Sequence, residues 1–242
     1  MIPSTDLYFG AAVVYGVLFV AFVAWLRRLE GDGRRLCALA TGLVGLSAVA
    51  YTMMSTGAGM IPVAGGVVDA PNLLDDTATY AGMYGLAAVL AGPSKRWIVA
   101  VSGIVAAQRL AFELPYAGIV GGTGALAAAG VVVVGWFVIS GIFAGPIWRA
   151  ARNQPAKRRL VHWKCRNLVL FLFATLIVYA MLALSGVLTE FLNTSLNLYI
   201  DLLMRVGVTS LLFVNAGSLG EDDGRGSTSS VVSPAPASAT GE

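Results

Sequence analysis

Apolar residues run through this chain in seven long blocks separated by short polar punctuation. The blocks cover about 6–26, 35–56, 71–91, 96–114, 118–146, 163–186 and 193–217. Each is close to the roughly 20 residues an α-helix needs to cross a bilayer. None shows the alternating pattern of a membrane β-strand, and backbone polar groups in lipid must be satisfied within a segment. The pattern therefore predicts an all-α membrane protein, a bundle of seven transmembrane helices. The third block is the weakest, because Asp75 and Asp76 interrupt it. The fifth is long and rich in glycine, so its ends are loosely defined.

Two stretches fall outside the helical pattern. Between the second and third blocks, IPVAGGVVDAP carries two short β-prone runs around Gly65-Gly66, which signals a short β-hairpin. After Gly220 the chain reads EDDGRGSTSSVVSPAPASATGE, too polar to bury a core. The expected organisation is a seven-span domain over 1–218 and a disordered cytoplasmic tail over 219–242. The opening MIPSTDLYFG lacks a basic segment and a small-residue cleavage site, so it reads as the start of the first span.

Composition strengthens this reading. Hydrophobic residues make up 57% of the chain and charged ones 12%, against about 45–50% and 25% in soluble domains. The placement of charge adds orientation. Of the 16 basic residues, 14 fall in the 1–2, 3–4 and 5–6 connections, their flanks and the tail, leaving Arg109 and Arg205 within spans. Positive residues collect on the cytoplasmic side, so the N-terminus is expected outside and the C-terminus in the cytoplasm of a multi-pass cell-membrane protein. The basic run near KRRLVHWK then reads as a topology signal in contact with anionic lipid, not as a nucleic-acid site.

Few residues suggest chemistry of the usual kinds. Cys37 and Cys165 lie far apart without metal-ligand spacing and read as buried or interfacial thiols. His162 stands without a metal partner and is expected to be solvated or lipid-facing. There is no paired carboxylate set with a base, no nucleophile motif and no phosphate-cradling glycine loop. An enzyme and a metal centre are therefore not indicated.

The informative residues are charges inside the spans. Asp201 and Arg205 are four apart in SLNLYIDLLMRVGVTSLLFV and share one helix face. A charge near the bilayer centre costs at least about 2.5–3.5 kcal/mol, so it must face the bundle interior and be paired. Arg109 and Glu113 repeat the spacing near the outer end of the fourth span, where a snorkelling interfacial pair is expected before Pro115 ends the helix.

Several motifs together resemble the microbial (type 1) rhodopsins, most of all haloarchaeal sensory rhodopsins and bacteriorhodopsin. They are AVAYTMM (48–54), GAGMIPVAGGVVDAP (57–71), Asp75 with Thr79, RNL (166–168) and D-x-x-x-R-V-G (201–207), and the likeness spans about 5–217. The last motif corresponds to the family's D-x-x-x-K-V-G, whose lysine carries retinal as a Schiff base. Here that position is Arg205, and Lys95, Lys157 and Lys164 are all in or beside loops. A guanidinium stays protonated and is a poor nucleophile toward an aldehyde. The resemblance also places the family's aromatic retinal box on Phe173, Leu176, Ile177 and Ala180, its tryptophan after the third-span aspartate on Asp76, and its outer arginine on Asn72. Asp75 and Asp201 match the two counter-ion carboxylates.

These matches imply an intramembrane network of Asp75, Asp76, Thr79, Asp201 and Arg205, with Arg205 as a fixed cation joining the third and seventh spans. They imply no covalent retinal, while noncovalent retinal or a carotenoid stays open. Tyr199 matches a tyrosine at the transducer interface of sensory rhodopsins, although Met204 replaces a threonine tied to signalling. Three functions remain open: an interaction or regulatory protein with a membrane partner (a transducer or a carotenoid-pathway protein), a light-independent ion or proton channel or transporter, or a noncovalent pigment binder. A homo-oligomer is compatible with each.

Overall fold

The structure, a computed structural model, describes residues 4–219. The tail expected over 219–242, with Arg225, lies almost wholly outside the described residues. Seven long helical rods run through the described part. They are α1 (Ser4–Leu26), α2 (Gly31–Ser55), α3 (Ala70–Leu90), α4 (Lys95–Tyr116), α5 (Thr123–Ile142) with its continuation, α7 (Ala156–Leu184) and α8 (Glu190–Val214). Six are long and apolar enough to cross a membrane. The seventh is α3, whose aspartates lower its hydropathy as the sequence suggested.

The rods close into a ring. Contacts run α1–α2–α3–α4–α5, then α5 to α7, α7 to α8 and α8 back to α1. Helix α3 also touches α7 and α8 across the ring. It is among the most buried rods, with both aspartates, Thr79, Tyr80 and Tyr84 inside. Large apolar side chains such as Phe9, Val17, Leu126 and Phe171 point outward and are more than 60% exposed. Apolar outside and polar inside is the arrangement a bilayer solvent demands.

The expected hairpin is present, one residue earlier than predicted. Strands β1 (Met60–Val63) and β2 (Gly66–Asp69) pair antiparallel with Met60 opposite Asp69 and Val63 opposite Gly66. The turn is therefore Ala64-Gly65, with Gly65 at φ +102°. Gly66 belongs to the strand, paired with Val63, and packs against the Ala117 carbonyl at the end of α4. A Cβ there would overlap that carbonyl, so Gly66→Ala is expected to cost about 1–3 kcal/mol and to show as a lower thermal midpoint. The hairpin then feeds α3 directly. The Asp69 carboxylate accepts the Asn72 backbone N–H at 3.0 Å as the N-cap, and Pro71 sits in the first turn. Burial pushes the Asp69 carboxyl above its ordinary range, and the Asn72 N–H opposes this.

Three boundaries moved for physical reasons. Helix α4 continues through Pro115 to Tyr116, because a proline in the last turn interrupts little, and Gly118 at φ +72° ends it. The fifth rod starts at Thr123, not 118, after Gly118 and Gly122 turn the chain with positive φ. It then absorbs Pro146 in a π-helical turn, Phe143–Ile147, and continues as α6 (Trp148–Ala151). Helix α7 begins at Ala156, seven residues before the apolar block, since the basic KRRL run is helical as well. A short α9 (Ala216–Leu219) follows α8.

Candidate functional site

The early start of α7 corrects one expectation at once. His162 is not solvated or lipid-facing. It is fully buried, with Nδ1 2.8 Å from the Ala87 carbonyl and the rings of Phe143 and Trp148 nearby. Six residues into α7, it already points into the bundle. Cys37 and Cys165 are buried free thiols, as expected.

The polar centre is built from i,i+4 pairs on facing helices. Helix α8 supplies Asn197, Asp201 and Arg205 on one stripe, α3 supplies Asp75 with Thr79 and Asp76 with Tyr80, and α2 supplies Ser47 with Tyr51. Packing α2, α3 and α8 together brings the three stripes to one point. Arg205 lies there and is completely buried. Its Nη2 is 2.6 Å from Asp76 Oδ1 and 3.0 Å from Asp75 Oδ2. Its Nη1 is 3.5 Å from Asp201 Oδ2 on its own helix, and donates to Tyr51 and Tyr15 hydroxyls at 3.2 and 3.3 Å.

Each carboxylate is held from other sides as well. Ser47 and Thr79 hydroxyls donate to Asp75 Oδ1 at 2.9 and 3.0 Å. Tyr51 donates to Asp201 Oδ2 at 2.8 Å, and Tyr80 donates to Asp201 Oδ1. The rings of Tyr15, Tyr51 and Tyr80 surround the guanidinium carbon at 5.6, 5.6 and 5.8 Å, within cation–π range. Tyr15 and Tyr51 stack on one another with centroids 5.2 Å apart.

The network extends further than the sequence suggested. Arg109 and Glu113 are not a snorkelling interfacial pair. Both are buried, 2.7 Å apart, and Arg109 Nε reaches Asp76 Oδ2 at 3.0 Å. Asp76 therefore lies between two guanidiniums, Arg205 from α8 and Arg109 from α4. The chain of charges Asp201–Arg205–Asp76–Arg109–Glu113 is continuous across three helices. A buried arginine on α4 thus stands beside the aspartate pair, while Asn72, at the position of the family's outer arginine, starts α3. Tyr15, Tyr51, Tyr80 and Ser47 were not singled out from the sequence. The available signal was their four-residue spacing within the spans, Ser47 to Tyr51 and Asp76 to Tyr80.

The four positions assigned to the former retinal box do come together. Phe173, Leu176, Ile177 and Ala180 line one cavity of about 40 Å³ with Tyr80, Gln108, Arg109, Phe112, Val132 and Tyr179. Ligand pockets are typically about 300–1,000 Å³. Tyr80 stands between this cavity and Arg205, with its ring facing Phe173 edge-on at 6.3 Å and its hydroxyl on Asp201. The residues present therefore do not fit a retinal attached at position 205. A guanidinium paired with Asp75, Asp76 and Asp201 occupies the attachment point, and the Tyr80 ring stands beside it toward the box.

Tyr199 is separate from this centre. It is 60% exposed on the outward face of α8, beside a groove shared with Leu7, Ala11 and Val14 of α1. Met204 is fully buried.

No family model matches the chain. It is 30% identical over 242 residues to sensory rhodopsin-2 of Natronomonas pharaonis, covering 98% of this chain and 99% of that protein. The light-driven proton pump of Leptosphaeria maculans superposes with a TM-score of 0.80 at 15% identity, covering 90% of this chain and 97% of that one. The thermophilic rhodopsin of Rubrobacter xylanophilus does so with a TM-score of 0.78 at 17% identity, covering 90% and 98%. These two structures speak for the fold, and the full-length likeness to a sensory rhodopsin speaks for descent. The chain belongs to the microbial rhodopsin family.

Proposed function

We propose that this protein is a rhodopsin-family member without a covalent chromophore, neither a conventional light-driven pump nor a conventional photoreceptor, that acts through contacts with another membrane protein. The observation that carries this reading is the ion pairing of Arg205 with Asp75 and Asp76. A guanidinium keeps its proton and forms no imine with an aldehyde. The charge that a protonated Schiff base would supply is then permanent, and its counter-ions are permanently engaged. The partner side follows from the exposed face of α8 around Tyr199. A transducer-like protein fits it best, given the likeness to a sensory rhodopsin. The basic α5–α7 connection supports a cytoplasmic placement of that connection, with the N-terminus outside.

The small cavity disfavours a noncovalent retinal or carotenoid. The continuous charge chain from Asp201 to Glu113 is the one observation that favours ion or proton transport. Arg205 stands in its middle and has no proton to release, so the interaction role is preferred. Purification in the presence of all-trans-retinal tests the first half of the reading. No visible band is expected, and a band that resists hydroxylamine would overturn it. Tyr199→Ala tests the second half. It should reduce capture of the native membrane partner several-fold and leave the thermal midpoint unchanged. Proton or ion flux in liposomes containing the purified protein would favour transport instead.

A further inference from the structure

Outside the charge network, the fifth membrane rod ends and the sixth begins at one surface. A groove of about 330 Å³ opens there, lined by Trp148, Ala156, Arg159, Leu160 and Trp163. Trp148 comes from α6, beyond the π-helical turn, and the others from the first turns of α7. Trp163 and Leu160 are 45% and 50% exposed. Both spans reach the membrane boundary at this level, since their apolar segments run to Ala151 and from Ala156.

Three features give the groove a chemical preference. First, the surrounding segment is strongly basic. Seven basic residues lie within 149–166, and no Asp or Glu occurs between Glu113 and Glu190. Second, Arg159 is half-buried in the groove wall with no carboxylate partner among the described residues. Its neighbour Arg158 is turned away and donates to the Leu90 carbonyl at 3.1 Å. Arg166 lies over the Trp148 ring at 5.2 Å and donates to Asn167, a neutral amide. It fixes the indole without cancelling the positive field. Third, the other wall is apolar and aromatic. Tryptophans prefer the interfacial layer, where the ring meets glycerol and upper acyl chain while the indole N–H meets polar groups. Among the described residues neither indole N–H has a protein acceptor.

A cation, two indole donors and an apolar floor at the membrane boundary suit one kind of molecule. We propose that this groove binds an anionic phospholipid, with its headgroup phosphate on Arg159 and the start of an acyl chain along Leu160 between Trp148 and Trp163. A basic pocket at a helix end is a known physical basis for selecting charged headgroups.

The test uses the full-length protein in detergent, titrated with short-chain phosphatidylglycerol or phosphatidylcholine, with bound lipid counted by native mass spectrometry. Phosphatidylglycerol is expected to bind about fivefold more tightly or better, and Arg159→Gln to remove about fivefold of its affinity. Arg152→Gln, an exposed change in the same basic segment but outside the groove lining, should leave that affinity unchanged. Trp163→Ala should weaken both lipids. Equal losses in the two arginine variants would mean a diffuse field and overturn the site, as would equal binding of the two lipids. Displacement of the lipid by inorganic phosphate would assign the groove to free phosphate instead. A gain in lipid affinity on Glu221→Gln with Asp222→Asn and Asp223→Asn would make the chain's own tail the occupant, and it too would overturn the proposal.

Discussion

Replacing Arg205 with alanine is expected to lower the thermal midpoint of the purified protein by roughly 10 °C. The physical reason is asymmetry. A buried ion pair contributes little relative to a well-packed apolar alternative, but removing one partner strands the other without water, at about 3–5 kcal/mol. For a chain of this size each kcal/mol shifts the midpoint by about 2–4 °C. Arg205→Ala strands Asp75, Asp76 and Asp201 together, all of them buried. It also removes the cation surrounded by Tyr15, Tyr51 and Tyr80. Arg205→Lys keeps the charge but loses the planar fork, whose Nη2 serves two carboxylates and whose Nη1 serves the tyrosines and Asp201. It should fall between the parent and the alanine variant. Adding Asp75→Asn and Asp76→Asn to Arg205→Met should recover part of the loss, because two of the three stranded carboxylates are then neutral and only Asp201, held by the Tyr51 and Tyr80 hydroxyls, remains. If alanine and lysine both leave the midpoint unchanged, Arg205 does not bridge α3 and α8.

What the sequence showed and what it hid divide along one physical line. Span number was readable because a bilayer imposes a length and an apolarity on each rod; six blocks met both, and the third met the length while its aspartates lowered its hydropathy. The pairing of Asp201 with Arg205 was readable because it is local, one helical turn on one face. Contacts made across helices leave no comparable trace. Tyr51 and Asp201 are hydrogen-bonded but 150 positions apart, and nothing in either neighbourhood names the other. Arg109 looked interfacial because its only local partner was Glu113. Its reach to Asp76 depends on how α4 lies against α3. His162 was misplaced for a boundary reason, since a basic helical turn before an apolar block looks like a loop. The four former box positions converge on one cavity, and Tyr80, a residue the linear motifs did not mark, lines it as well.

Tyr80 leads to the second large effect. Arg205→Lys would restore an amine at the family's attachment position, and by motif alone it should make a pigment with added all-trans-retinal. It is expected to make none. The amine would still meet Tyr80, whose ring fills the passage between position 205 and the cavity lined by Phe173, Leu176, Ile177 and Ala180. About 40 Å³ is available there, several-fold below the roughly 300 Å³ at which ligand pockets begin. Combining Arg205→Lys with Tyr80→Ala removes the ring and joins the two spaces, so a visible band that bleaches slowly in hydroxylamine should then appear. Tyr80→Phe is the discriminating control. It removes the hydroxyl that donates to Asp201 but keeps the ring, so Arg205→Lys with Tyr80→Phe should stay colourless if volume is what excludes the chromophore. Colour in that variant would instead make the Tyr80–Asp201 hydrogen bond the obstacle. Colour in Arg205→Lys alone would show that the side chains part readily, and that a single guanidinium separates this protein from its light-absorbing relatives.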